Sequence, residues 1–308
     1  MGSSSKLALI IVTKDRPDEI RRLLSSLRRQ TRRPDLVVIV DAGTPPLTED
    51  LYGAADLAVR YIRCLPPSTA RQRNQGLKEV RTGFDFIGFT DDDAVFEERA
   101  VERMMTFWSS AGPNVGGAAF NLVNHPPLHL EALKKAALTE RLGLYSRVPG
   151  VVAPSGFHAM IGFVEKTIYT DWIPGVAVWR REVFERFRYD EWFRGYSYLE
   201  DLDFSFRVGR QFRMAVVGPA RYHHLQAPDG RGNDYEFGRR EVLNRFHFVA
   251  KHAELSPRAC LMAIGMRLGI SLAAMLRRRR TSFGVRAFGN VIGLAERLIL
   301  GRELGRGR

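Results

Sequence analysis

Apolar positions along the chain follow two alternating patterns. Residues 7–12, Leu-Ala-Leu-Ile-Ile-Val, form a continuous apolar run that ends at Thr13. Such a run predicts a strand buried on both faces. Asp15, Arg16, Pro17, Asp18 and Glu19 come next, with proline near a first helical position and acids in a first turn. Ile20, Leu23, Leu24 and Leu27 then recur at i, i+3, i+4 and i+7, which is one buried helical stripe. Pro34 ends that element. Residues 36–41 are a second strand-like run closed by Asp41, residues 58–62 a third, and residues 84–90 a fourth that delivers Asp91. Helices are predicted over about 68–80 and 97–108. This alternation predicts an α/β fold, a parallel sheet with helices on both faces.

Ligands of such sheets bind beyond the carboxyl ends of the strands. Thr13, Asp41 and Asp91 each close a strand, so three polar residues are expected at one edge. Asp91, Asp92 and Asp93 are consecutive. Three carboxylates at a strand end repel one another unless a cation or hydrogen-bond donors gather there. Oxygen ligands of this kind suit Mg²⁺ or Mn²⁺, which in turn hold phosphates; the alternative is a solvated acidic turn. Residues 121–170 are rich in Pro, Gly and His, with an amphipathic stretch near 130–144, and predict a loop-dominated cover over a site. A short helix near 181–187, a helix from Glu200, a strand over 213–217 with His223 and His224 beyond it, and a long helix over 234–251 follow.

Composition adds bounds. At 308 residues and 45% hydrophobic, the chain can build one large domain or a domain with an appendage. Its two cysteines, Cys64 and Cys260, form no disulfide framework and no zinc spacing, which fits a reducing compartment. The short polar start, Met1 to Lys6, predicts no signal peptide and a cytoplasmic protein. The net charge is +13, but residues 256–308 hold eleven Arg, no Lys and two Glu, a net of +9, leaving only +4 for the first 255 residues. The excess belongs to the tail and implies an anionic partner for it.

Seven segments together resemble family 2 glycosyltransferases of the GT-A fold. They are Val12-Thr13-Lys14-Asp15-Arg16-Pro17, Val38-Ile39-Val40-Asp41, Ala70-Arg71-Gln72-Arg73-Asn74-Gln75-Gly76, Asp91-Asp92-Asp93, Trp172-Ile173-Pro174-Gly175, Glu200-Asp201-Leu202-Asp203-Phe204-Ser205-Phe206-Arg207, and the His pair. Each is weak alone, and all seven stand in the family's order between about residues 7 and 250. The resemblance implies a Rossmann-like, mostly parallel sheet flanked by helices over residues 1–255, with residues 256–308 as a basic helical appendage. It implies inverting transfer of a sugar from a nucleotide-diphosphate donor to a hydroxyl of a saccharide or lipid-linked saccharide. Asp93 would ligate Mn²⁺ or Mg²⁺, and Asp91 and Asp92 would face ribose and nucleotide. Thr13, Arg16 and Asp41 match positions near the base, and Arg71 and Asn74 match the segment that approaches the nucleotide. Asp201, second of the Glu-Asp pair, would be the general base, with Glu200, Trp172 and Gly175 on the acceptor side. The family often supplies a His as third metal ligand, and the alternation Ala220, Tyr222, His224 favours His224 over His223.

The residue chemistry agrees. A departing diphosphate gains negative charge that a cation and arginine forks stabilise. Glu200 and Asp203 beside Asp201 would raise its pKa toward a useful range. The same acids could instead serve only as favourable charge at a helix N-terminus, and Trp172 and Gly175 could be a buried ring and a turn. Two departures from the family pattern stand out. Ala42-Gly43-Thr44-Pro45 follows Asp41 where an acid or amide, Gly, Ser continuation is common, and Lys14-Asp15 replaces a frequent Tyr-Asn.

In the tail, residues 259–276 are apolar except for Arg267 and Ser271 and span about 27 Å as a helix. Four arginines follow, then a stripe of Val285, Phe288, Ile292, Ala295 and Ile299. Both are expected as helices on an anionic membrane surface, at the inner face of the cell membrane; the alternative is packing on the catalytic domain or a dimer partner. A nucleotidyltransferase and a nucleic-acid-binding protein are the competing classes. The low charge of the body argues against nucleic acid.

Overall fold

The computed structural model describes residues 5–53, 56–80, 82–124, 137–195, 197–225, 233–278 and 281–305. The chain groups into two compact units, Met1–Leu128 with Ile161–Pro228, and His129–Met160 with Asp229–Arg308.

The first unit begins with β1 (Leu7–Thr13), every residue of which is buried. Helix α1 (Pro17–Arg28) starts on Pro17 and buries Ile20, Leu23, Leu24 and Leu27 against the sheet. Truncating any of these leucines to alanine would cost about 2–5 kcal/mol. Strand β2 (Leu36–Asp41), the short α2 (Glu49–Tyr52), β3 (Val59–Arg63), α3 (Thr69–Glu79), β4 (Phe86–Asp91), β5 (Ala94–Phe96) and α4 (Ala100–Ser110) follow. Ser68 caps α3, its Oγ accepting from the Arg71 N–H. Next come β6 (Val115–Leu122), the short α5 (Ala137–Arg141) of the second unit, and then β7 (Ile168–Thr170), β8 (Ala177–Arg180), α6 (Val183–Arg186), α7 (Glu200–Val208) and β9 (Arg213–His224).

Nine strands among the described residues form one sheet in the order β3-β2-β1-β4-β8-β6-β9-β5, with β7 on β9. The half from β3 to β4 is parallel throughout. Strand β8 runs against β4 and β6, and β6 runs with β9. Six strands, β1 to β4, β6 and β9, therefore share one direction. The run that was expected to end at 217 continues to His224, because β5 pairs antiparallel with its last residues and Ala94 lies opposite His224.

The second unit holds α8 (Asp234–Ala250), α9 (Pro257–Arg278) and α10 (Thr281–Gly305). Asn233 caps α8, its Oδ1 accepting from the Glu236 N–H at 2.8 Å. Buried Arg245 donates to the Gly156 carbonyl at 2.6 Å and lies over the Phe157 ring. The boundary expected at 255/256 falls inside this unit. Helix α8 groups with the tail because α10 lies along it at backbone contact, where Gly238 and Gly289 leave no side chain between them. Of the amphipathic stretch expected near 130–144, residues 130–136 lie outside the described residues, as do Arg279 and Arg280.

Candidate active site

Parallel register brings Thr13, Asp41 and Arg63 to one edge, where β1, β2 and β3 end side by side. Asp41 is 1% exposed. Its oxygens accept from the Gly43 N–H at 2.7 Å, the Tyr61 hydroxyl at 2.8 Å, Arg63 Nη1 at 2.6 Å and the Leu47 N–H at 3.2 Å. Asp41, expected near the base, thus anchors the 43–47 loop and Arg63, and Arg63 is the more open group of the pair. Asp15 adopts a left-handed backbone (φ 56°) and accepts from the Thr44 N–H at 2.6 Å, tying the β1 loop to the β2 loop.

Asp91 ends β4, and Asp92 and Asp93 lie in the turn beyond it, which splits the triplet. Asp92 turns inward, where Thr13 Oγ1 donates to one oxygen at 2.8 Å and Arg16 Nη1 to the other at 2.8 Å. Burial pushes its pKa up to about 6 against the pull of Arg16 and Thr13. Asp91 and Asp93 lie on the opposite side with His224, and their ligand atoms all fall within 4.8 Å of one another. His224 Nε2 stands 2.8 Å from Asp93 Oδ1, whereas His223 faces Glu97 at 3.9 Å. Two carboxylates and one imidazole are a fitting donor set for Mn²⁺ and an acceptable one for Mg²⁺. Arg16 also reaches Asp93 at 3.6 Å.

Arg73 joins this edge to the second carboxylate pair. Its Nη2 stands 3.3 Å from Asp91 Oδ1 and its Nη1 2.9 Å from Glu200 Oε1. The guanidinium is 2% exposed and lies over the rings of Tyr189 and Phe89. A Cβ on Gly175 would stand 2.5 Å from Arg73 Nη2, so glycine there makes room for the bridge. Arg73 was missed in the sequence, where Arg71 and Asn74 were expected at the nucleotide. Those two face the other way: Arg71 pairs with Glu191 at 3.4 Å, and the Asn74 amide is engaged with the Tyr189 backbone at 2.9 and 3.0 Å and with Glu191 at 3.0 Å. The missed signal was position. Ala70, Arg73 and Leu77 share the buried stripe of α3, with Val80 buried at its C-cap, and a charge in an apolar stripe needs a partner.

Glu200 and Asp201 open α7 after two non-glycine residues in left-handed backbone, Ser197 (φ 52°) and Leu199 (φ 76°). Such residues cost about 1–2 kcal/mol each and cluster at functional sites. Burial, with Asp201 and Asp91 nearby, pushes Glu200 up to about 8 despite Arg73. Burial also raises Asp201, whose Oδ1 accepts from the Leu202 N–H at 2.8 Å. Asp203 is fully buried and accepts from Arg207 Nε at 3.0 Å, a structural pairing. Trp172 is buried, so its ring faces the interior, with Gly175 against Arg73.

A cation-ready carboxylate edge joined through one arginine to a raised Glu-Asp pair, on a sheet of this order, defines a GT-A type glycosyltransferase. The model of glycosyl transferase family 2 matches residues 8–188, and the chain belongs to that family. It is 26% identical over 245 residues, 78% of this chain and 82% of the other, to the uncharacterized glycosyltransferase YwdF of Bacillus subtilis (strain 168). Among solved structures it resembles the mannosyltransferase PcManGT from Pyrobaculum calidifontis in complex with GDP-Man and Mn²⁺, with a TM-score of 0.54 and 14% identity, covering 95% of this chain and 88% of that one. It also resembles S. aureus TarS, with a TM-score of 0.48 and 16% identity, covering 80% of this chain and only 42% of that one.

Proposed function

We propose that this glycosyltransferase moves a sugar from a nucleoside-diphosphate donor to a hydroxyl of a saccharide or lipid-linked saccharide, with inversion. In this reading the site depends on Mn²⁺ or Mg²⁺ held by Asp91, Asp93 and His224. One observation carries the reading: Arg73 contacts both Asp91 and Glu200, so the donor edge and the base pair form one site. The fold relationship to a mannosyltransferase solved with GDP-Man and Mn²⁺ supports it.

When bound, the cation supplies Lewis-acid stabilisation of the leaving diphosphate. Thr13 and Arg16 hold Asp92 inward, which leaves Asp91 and Asp93 on the ligand side. Asp201 takes the proton of the acceptor hydroxyl as its oxygen attacks the anomeric carbon from the face opposite the diphosphate. The carbon–oxygen bond to the diphosphate breaks, and its electron pair leaves with the nucleotide. A raised carboxylate pKa brings Asp201 closer to the strength a base needs near neutral pH. Arg73 restrains the charge that Asp91, Glu200 and Asp201 place together. In this reading the acceptor is presented at the cytoplasmic face of an anionic membrane, in the assembly of a cell-surface glycan.

The test is a panel of nucleotide-sugars with and without Mn²⁺, read by thermal shift and by the nucleotide released. Free nucleoside diphosphate together with a glycosylated acceptor is expected. Release of pyrophosphate would assign a nucleotidyltransferase instead.

A further inference from the structure

We infer that α9 and α10 form an inside-out helical pair that lies in the surface of an anionic bilayer. This deepens the membrane part of the proposed function and is independent of the chemistry proposed there. Helices of water-soluble proteins turn apolar residues in and charges out. These two bury some apolar residues, Cys260, Ala263, Ile264 and Ala287 among them, but also turn charges in and leave a second apolar face outward. On α9 the one charged residue between Ala259 and Leu276, Arg267, turns inward and pairs with buried Glu241 of α8 at 2.9 Å, and Ser271 is buried on the same face. The outward face holds Leu261, Met262, Leu272 and Leu276, the last 76% exposed. Between these residues that face carries only Gly265, Gly269 and Ala273 as other exposed positions.

Helix α10 is inverted in the same way. Arg286 turns inward to Glu241 at 3.0 Å, Asn290 donates to the Gly238 carbonyl at 2.8 Å, and Glu296 accepts from Arg239 at 2.7 Å. Phe288 and Leu298 are 59% and 69% exposed, on one stripe with Val291. The contact between α8 and α10 is made by small residues. A Cβ on Gly238 would stand 2.2 Å from the Arg286 carbonyl, and one on Gly289 2.1 Å from the Tyr235 carbonyl. Packing through glycine and polar groups, with apolar surface left outward, is how helices associate where lipid already solvates apolar side chains.

Charge selects the occupant. Residues 256–308 carry eleven Arg and two Glu. A second copy would bring two tails of like charge together, whereas anionic headgroups neutralise them. The segment Pro257–Leu276 is long and apolar enough to cross a bilayer by length and composition. Yet Arg277 and Arg278 close α9 and Arg279 and Arg280 follow before α10, and a crossing hairpin would carry all four through hydrocarbon. Lying in the interface leaves them at the headgroups. The charge of Arg267, the objection to burial of α9 in an apolar medium, is already met by Glu241.

The experiment is flotation of the full chain with phosphatidylcholine vesicles, with and without phosphatidylglycerol, and without donor or metal. Co-flotation with the anionic vesicles is expected. The double variant Phe288→Glu with Leu298→Glu should lower partitioning roughly tenfold or more while keeping its thermal transition. In a second measurement, Phe288→Trp should be quenched by lipids brominated on the acyl chain. A full chain that stays in the aqueous phase at low salt overturns the inference, as does an unquenched Trp. A stable dimer in sedimentation that the double variant dissociates would also overturn it, by assigning the face to a second copy. Because no donor or metal is present, each result stands apart from that of the transfer assay.

Discussion

Each unit contains a buried network of charges around one central group, and the two are balanced oppositely. In the second unit Glu241 is a lone carboxylate between Arg267 and Arg286, with the Asn290 amide at 3.3 Å. Burial alone would push it up, but Arg267 and Arg286, joined by Arg245, outweigh burial and hold it below the usual carboxylate range. In the first unit Arg73 stands alone among Asp91, Glu200 and Asp201, and burial pushes Glu200 up to about 8. A saturated network fixes helices in place. An unsaturated one keeps a negative field that a cation or a proton completes, and strongly perturbed groups of this kind mark functional sites. In the proposed reading the same residue types serve architecture in one unit and chemistry in the other, and the ratio of cations to carboxylates separates them.

The largest effect should come from breaking the saturated network. Glu241→Ala leaves two part-buried guanidiniums without their carboxylate and should cost about 3 kcal/mol, read by urea denaturation. The corresponding cut in the first unit, Asp201→Asn, should lower transfer by about 100-fold or more while changing stability little and preserving donor binding. If Asp201→Asn destabilised as much as Glu241→Ala with little change in turnover, the two networks would not differ in kind.

What could be read from the sequence follows the same division between local and long-range causes. The strands β1, β2 and β4 were legible because they are continuous apolar runs, and α1 because its stripe repeats within one helix. The carboxylate edge was legible because Asp91 and Asp93 are local to one strand end, and His224 because alternation along β9 sets its face; that Asp91, expected at the ribose, joins Asp93 and His224 was not. Strand β6, Val-Gly-Gly-Ala-Ala-Phe-Asn-Leu, was not legible. Its small residues answer to a distant ring, since a Cβ on Gly117 would stand 2.4 Å from Trp179. Arg73 was passed over for Arg71 because the motif names a segment, whereas the face of α3 that meets the sheet decides which arginine enters. The inversion of α9 and α10 was hidden for a similar reason. Arg267 reads as an obstacle to burial until Glu241, on another helix, is brought to it.

A smaller effect sharpens the contrast by ligation. Mn²⁺ at about 100 times its Kd should stabilise the protein by about 2.7 kcal/mol, measured as a thermal shift. Asp93→Ala or His224→Ala should remove that shift. Phe288→Glu, remote from the unsaturated network, should retain it. A shift that survives loss of Asp93 would place the cation elsewhere.

The smallest and most specific effect is the direction of pH dependence. Glu200 rises from an ordinary value near 4.5 to about 8 in the folded protein, so the folded state binds the proton more tightly than the unfolded one. Stability from this group is fully present below its unfolded pKa and is lost as pH rises through 8. Glu241, held low, acts with the opposite sign. Its contribution is present above the ordinary carboxylate range and is lost as pH falls through its folded pKa. Metal-free protein should therefore lose a few degrees of thermal stability between about pH 6 and about pH 9, and Glu200→Gln, which mimics the protonated acid, should flatten that slope. Asp92, raised to about 6, adds a loss of the same sign at lower pH and should persist in the Glu200 variant. Hydrogen exchange, corrected for intrinsic rates, should show the alkaline loosening in α7 and the acid loosening in α8. If both helices loosened at the same end of the pH range, charge balance would not be what separates the two networks.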